Sequence, residues 1–513
     1  MSAQYDVVVI GSGLGGLTAA ALLARAGRKT LLIERNTSVG GAATTYKVGD
    51  LVVEAALHAT ADPQDPSEPK HQILARIGVL DAVRWVPTGP LHEVRGGPFD
   101  QPFVLPDNFA AAGEALRARF PAAARGIARV LREMEDIATG LGTLARGRDA
   151  FRNRREALAA LLKLVPALRD WRLSLSAALD RALGDNEAAK CALAANLGYY
   201  HDDPSTLWWL FFAVAQGGFL SSGGRYIHGG SQRLSNAIAR AFRTAGGELL
   251  LGHTAVEIRL GADGSPAAVI HEHNGERHEA RTRAVACNAA PAVLAALLPG
   301  KAGNAVATAY DGRARSISLF SLTLGLSRPA ADFGVRQYSS ILLPSWVRRL
   351  ADYPANAAIL AGAPEAKVPI LTLVDYAAID SGLGGPPYPV SIVGTDRVAN
   401  WSGLDDATYA EKRRRWQEFI IDAADRTFPG LAAHVVASTF NTARSMQSFL
   451  NAPGGSIYGF APTPPARPVW RGFERSARTP VAGVYLASSY SASGGFTGAI
   501  RGGASAAECI IAA

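Results

Sequence analysis

The stretch DVVVIGSGLGGLTAAALLARAGRKTLLIE, residues 6–34, joins a β-branched run, a glycine turn, a small-residue helix and a second apolar run. Residues 7–10 (VVVI) predict a buried strand, and the Ala- and Leu-rich segment from Leu14 predicts a helix. Gly11 permits the tight turn between them, Gly13 lets a backbone approach a pyrophosphate, and Gly16 lets helix and strand pack closely. Leu14 and Gly15 open the helix, whose first N–H groups and positive dipole end suit a diphosphate. Glu34 ends the second run about twenty residues on, where a carboxylate accepts hydrogen bonds from a ribose diol. The pieces stand in the order and register that a dinucleotide requires.

Flanking residues narrow the dinucleotide. Arg35 and then Gly40, Gly41 and Ala42 follow the acidic residue, so a second glycine loop is expected to run beside the diphosphate. At the far end, residues 485–487 (YLA) predict a strand, and SGGFTGAI, residues 493–500, opens another small-residue helix. Gly495, Phe496 and Thr497 are therefore expected against a phosphate or a flavin edge of the ligand. Two chain ends converging on one cofactor point to FAD and not to a simple NAD site.

Four blocks carry a more specific resemblance: the N-terminal stretch; residues 224–234 (GRYIHGGSQRL) with Gly246, Gly247 and 254–258 (TAVEI); residues 442–446 (TARSM) with 454–460 (GGSIYGF); and the run 484–503. Together they resemble the phytoene desaturase, carotenoid isomerase and retinol saturase group of FAD-dependent oxidoreductases. The resemblance implies an α/β fold, with a Rossmann-like FAD-binding domain of the glutathione-reductase and amine-oxidase type interleaved with an α+β substrate domain. It also implies that the backbone of Val256 meets the adenine. Two positions depart from the group: Ser488-Ser489 stands where many relatives carry Gly-Asp, which leaves Ser489 to face the flavin side chain, and Ala56 replaces a glycine two residues before His58.

Composition agrees with a large folded enzyme. The 513 residues are 48% hydrophobic and 19% charged, which excludes an intrinsically disordered chain. No N-terminal signal pattern and no apolar run long enough to span a bilayer is present. The three cysteines, Cys191, Cys287 and Cys509, match neither a metal-ligand spacing nor a disulfide framework. No metal is expected, and a cytoplasmic location is. No module that binds nucleic acid is recognisable, despite a net charge of +8.

Basic charge concentrates between Arg146 and Arg172, where Arg148, Arg152, Arg154, Arg155, Lys163 and Arg169 alternate with leucines. A helix with a greasy side and a basic side suits either solvent or the interface of an anionic inner membrane face. Pro166 is expected to kink or end it. Residues 207–214 (LWWLFFAV) are too short to cross a membrane and read as core helix, tunnel wall or membrane-dipping patch.

The expected organisation assigns residues 1–62, 223–299 and 478–513 to the FAD domain. Residues 63–222 are expected as a helical, membrane-facing substrate domain, and 300–477 as a substrate domain with a sheet over the flavin. Only one dinucleotide fingerprint is present, so electrons are expected to pass to or from a quinone, oxygen or a transient donor. The resemblance implies hydride exchange between flavin N5 and a conjugated apolar lipid, as desaturation, saturation or isomerisation. His58 and His228 are candidate proton carriers, since each adjoins a segment expected near the flavin; Arg225 and Tyr226 are weaker candidates to line the same cavity. Two rival readings are a flavin amine or amino-acid oxidase, for which Tyr490 and Trp470 are the available aromatic pair, and a flavin-free prenyl- or lipid-binding protein.

Overall fold

A computed structural model describes residues 3–145, 154–467 and 476–513. Trp470 and the basic residues Arg146, Arg148 and Arg152 lie outside the described residues. β1 (Ala3–Ile10) pairs in parallel with β2 (Thr30–Glu34) on one side and β3 (Glu276–Cys287) on the other, so that Val8 faces Leu31 and Val285. Val7, Val8 and Val9 are buried, as an unbroken apolar run must be where both sheet faces are covered. Glu248–Leu251 extends the sheet beyond β2, and β4 (Val484–Leu486) pairs in parallel with β3. Thr254–Leu260 and Pro266–His273 complete the seven strands as an antiparallel edge. Segments hundreds of residues apart thus build one sheet, which is the Rossmann-like α/β arrangement expected.

α1 (Leu14–Arg25) follows the glycine turn, and its small residues let the C-terminal helix approach its backbone. A second seven-stranded sheet runs in the order Val435–Asn441, Ser318–Leu326, Tyr388–Asp396, Leu371–Asp375, Ser339–Leu343, His92–Gly96, Phe99–Leu105. The last two strands correct the expectation that residues 63–222 are helical. Phe99, Phe103 and Leu105 are buried while Asp100 and Gln101 are exposed, and Gly96 and Gly97 make the turn with positive φ. That run is too short, and too interrupted by Pro102, to announce itself.

The helical part of this region holds α2 (Ala124–Ala145), α3 (Arg154–Arg169) and α4 (Trp209–Ser222). Pro166 does not end α3, which runs on to Arg169. It sits on the exposed face, where its ring meets solvent and a missing N–H costs one turn of ladder only. The run 207–214 divides by face: Leu207, Trp209 and Phe212 are core, whereas Trp208, Phe211 and Val214 line a cavity.

α5 (Gly495–Ile511) returns to α1. A Cβ on Gly503 would stand 2.1 Å from the Gly15 carbonyl oxygen, and one on Gly15 would stand 2.2 Å from that of Ala487. Both obstacles are backbone, so no rotamer change relieves them. Gly503→Ala is expected to lower stability by about 1–3 kcal/mol, clash outweighing the helix-propensity gain. It should also weaken retention of FAD, measured by urea midpoint and by flavin content after gel filtration; a variant as stable and as yellow as wild type would contradict this packing.

Candidate active site

The turn between β1 and α1 opens into a cavity of about 1680 Å³. Gly11, Gly13, Leu14, Gly15, Glu34, Arg35, Gly40, Gly41 and Ala42 line it at one end, and Ser489, Gly495, Phe496 and Thr497 line it from the other terminus. The glycines play different parts. Gly11 takes φ +91°, and a Cβ on Gly16 would come within 1.9 Å of the Gly11 carbonyl oxygen. Gly16 therefore packs the helix against the turn and does not itself line the cavity. Gly41 lies over Gly13, where a Cβ would meet the Gly13 Cα at 3.2 Å, and Gly40 N–H donates to Ser12 O.

Glu34 is buried at the end of β2. Its Oε2 accepts from Ser12 N (2.8 Å) and Ser12 Oγ (2.7 Å), and its Oε1 accepts from Asn36 N (2.8 Å). The carboxylate is thus held at the cavity wall with lone pairs remaining for a ribose. The N-termini of α1 and α5 are capped by glycine, with no side chain satisfying their first N–H groups. Two helix ends and a fixed carboxylate around one large cleft fit FAD, whose diphosphate and carbonyl edges need such donors. His253, Thr254 and Ala255 also line the cavity, and Val256 lies one residue beyond, in the bulge between Ala255 and Glu257.

Asn288, which sequence reasoning missed, is the peg that joins these parts. It follows β3, donates from Nδ2 to Ala487 O (2.7 Å), and leaves no room for a Cβ at Gly13, which would fall 2.5 Å from its Oδ1. Glu54 is a second such tie. Buried and outside the cavity, it accepts from Ser231 N and Oγ, Thr45 Oγ1 and Tyr226 Oη. Burial pushes its carboxyl above the usual range, against four hydrogen bonds that lower it.

His58 reaches the cavity and His228 does not. His58 is buried, with Nδ1 3.0 Å from Tyr199 Oη and its carbonyl accepting from Tyr338 Oη. Burial lowers its pKa to about 4 and raises that of the Tyr199 phenol, so both are neutral at neutral pH. Tyr199 also lines the cavity and pairs edge-on with the His58 ring; at 141 residues' separation nothing in the sequence joins them. His228 is a correction. Its Nε2 faces Asp380 at 3.6 Å and its ring packs on Gly382, outside the cavity lining. Tyr226, in the strand Gly224–Ile227 that precedes His228, turns inward instead, and Arg225 pairs with Asp62 at 2.8 Å; neither lines the cavity.

Beyond His58 and Tyr199 the walls become apolar: Leu141, Leu164, Trp171, Trp208, Phe211 and Phe219. Among the described residues, no cluster of three or more His, Cys, Asp or Glu side chains is arranged to hold a metal. No helix there is long and apolar enough to cross a membrane.

A parallel sheet, its glycine turn and a returning C-terminal helix around one dinucleotide cleft define an FAD-dependent oxidoreductase. The chain belongs to the flavin containing amine oxidoreductase family, which matches residues 14–344. A stretch of 86 residues is 43% identical to all-trans-retinol 13,14-reductase of Macaca fascicularis; it covers 16% of this chain and 13% of that protein. The Danio rerio all-trans-retinol 13,14-reductase aligns over 99% of this chain and 86% of its own length at 21% identity. These matches make the chain a relative of the phytoene desaturase and retinol saturase-like oxidoreductases. Putrescine oxidase bound to putrescine shares the fold, with a TM-score of 0.62 at 15% identity over the whole of both chains.

Buried histidine also sets an acid response. His92 is fully buried, with Nε2 3.2 Å from Ala192 O, and burial lowers its pKa to about 4. Between that value and the unfolded value near 6.5 the unfolded chain binds the extra proton, so this contribution is lost as pH falls. Wild type is expected to lose stability relative to His92→Gln on going from pH 6.5 to 4, read from paired urea melts. A gap independent of pH would contradict the assignment.

Proposed function

We propose that this FAD enzyme acts on a long conjugated apolar lipid of the carotenoid, retinoid or isoprenoid class, by desaturation, saturation or isomerisation. The observation that carries the reading is the continuity of one cavity, from the dinucleotide turn past His58 and Tyr199 into walls of Leu, Trp and Phe. A ligand pocket is ordinarily about 300–1,000 Å³; this one has room for the cofactor and an extended second ligand. The matches to retinol 13,14-reductases support a polyene as that ligand.

When bound, FAD supplies the hydride exchange, with an external donor or acceptor completing the cycle. The chain's own residues hold the ligand, exclude water and carry the proton. Tyr199 Oη is a neutral phenol at neutral pH and His58 Nδ1 lies 3.0 Å away, so the two form a donor–acceptor pair for moving one proton within the cavity. Tyr199→Phe removes the hydroxyl and keeps the ring. It is expected to lower kcat about 10²-fold or more with an unchanged flavin spectrum; full activity would remove Tyr199 from the chemistry. Val256 is proposed to keep its backbone at the adenine, and Ser489 to face the flavin side chain.

An amine oxidase is the second reading, favoured by the family to which the chain belongs. Anaerobic incubation of the FAD-loaded protein with polyenes and with amines, followed by absorption and product mass analysis, separates the two. A polyene changed by two hydrogens or isomerised is expected. Flavin bleaching by an amine alone would overturn the lipid reading, and a purified protein unable to take up FAD would favour a lipid-binding role.

A further inference from the structure

α3 carries its large apolar side chains on the wrong side for a soluble helix. Ala157, Ala160, Leu164 and Ala167 face inward, and Gly140 of α2 admits them closely. Leu158, Leu161, Leu162, Val165 and Leu168 recur at helical spacing on the outer face, with Leu162 63% and Leu158 58% exposed. A soluble helix buries such a stripe. Two of these residues, Leu161 and Leu168, are also part of the cavity wall, as is Val214 of α4, itself exposed. The stripe is therefore continuous with the apolar end of the cavity.

Charge around the stripe selects its partner. Residues 154–172 contain Arg154, Arg155, Lys163, Arg169 and Arg172 against Glu156 and Asp170. All five basic residues are exposed, whereas Glu156 and Asp170 are half-buried. We infer that this face docks on an anionic bilayer, α3 lying in the interface with its leucines among the acyl chains and its basic residues at the headgroups. The cavity then opens between α3 and α4 directly into the apolar layer, and a lipid ligand enters without crossing water. Docking stands on the exposed face alone; the portal rests on the apolar-substrate reading above.

Flotation of the FAD-loaded enzyme with vesicles tests it. Wild type should rise with phosphatidylcholine vesicles containing phosphatidylglycerol, weakly with phosphatidylcholine alone, and less at high salt, by about fivefold in partitioning per basic contact. Leu162→Glu with Val165→Glu, at exposed positions outside the cavity wall, should abolish flotation while leaving flavin content and melting temperature unchanged. Wild type that stays unbound to both vesicle types, or a variant that floats equally well, overturns the inference. So does a wild-type dimer that the double variant dissolves without any vesicle binding, since the stripe would then meet a second copy of this chain. The portal has its own arm. Wild type and variant should turn over a short, water-soluble polyene alike, while only wild type should use a vesicle-borne one efficiently. Equal use of the vesicle-borne polyene removes the portal and leaves docking. Flotation without turnover of any polyene removes the substrate reading and leaves docking.

Discussion

Close backbone approach at one glycine is the constraint on which the rest depends. Gly15 lies against the carbonyl of Ala487 on one side and offers its own carbonyl to Gly503 on another, with Asn288 wedged beside it. Three stretches of chain, from the beginning, the middle and the end, meet where no side chain fits. That contact sets α1 and α5 side by side and brings both uncapped N-termini to one cleft. A dinucleotide cleft assembled from distant segments needs such a meeting point, because each segment alone leaves its N–H donors facing water. Asn288 adds direction: its amide reaches Ala487 and so fixes β4 relative to the glycine turn.

Local patterns predicted local structure well. The 6–34 unit follows from periodicity and glycine placement, and β1, α1 and β2 stand where that reading puts a strand, a helix and a strand. What was hidden depends on alternation too short to register, or on tertiary contact. His92–Gly96 and Phe99–Leu105 become strands because a sheet edge formed by Ser339–Leu343 is there to receive them. His228 and His58 look alike in sequence, each beside a glycine-rich or cofactor-facing block. Only the fold decides that one turns towards Asp380 and the other towards the cavity. Tyr199 carries no motif at all. Its role as partner to His58 arises from the short helical turn Ala195–Tyr199 that presents it.

Glu54, four residues before His58, is committed to packing: its oxygens are consumed by Ser231, Thr45 and Tyr226. A buried carboxylate is tolerated when hydrogen bonds replace its water. Here they tie the strand before His58 to the loop that follows Gly224–Ile227, so that the cavity-facing residues just downstream are held from two sides.

The charge inventory of the cavity bears on which ligand it accepts. An amine enters as an ammonium and loses its water, which a low-dielectric pocket compensates only with a carboxylate. Asp65, Glu68 and Asp311 stand at the wall, and the Glu68 Oε1 already accepts from Lys70 Nζ at 2.7 Å and from Thr497 Oγ1 at 2.8 Å. Lys70 is itself almost wholly buried, so releasing Glu68 to a substrate would strand a cation in the interior. His58 and Tyr199 are neutral and offer a dipole, not a charge. The walls also carry leucine, tryptophan and phenylalanine side chains, which repay burial of hydrocarbon in proportion to its area. The neutral His58–Tyr199 pair and the apolar wall residues support the neutral, extended ligand proposed above, within a family and fold shared with amine oxidases.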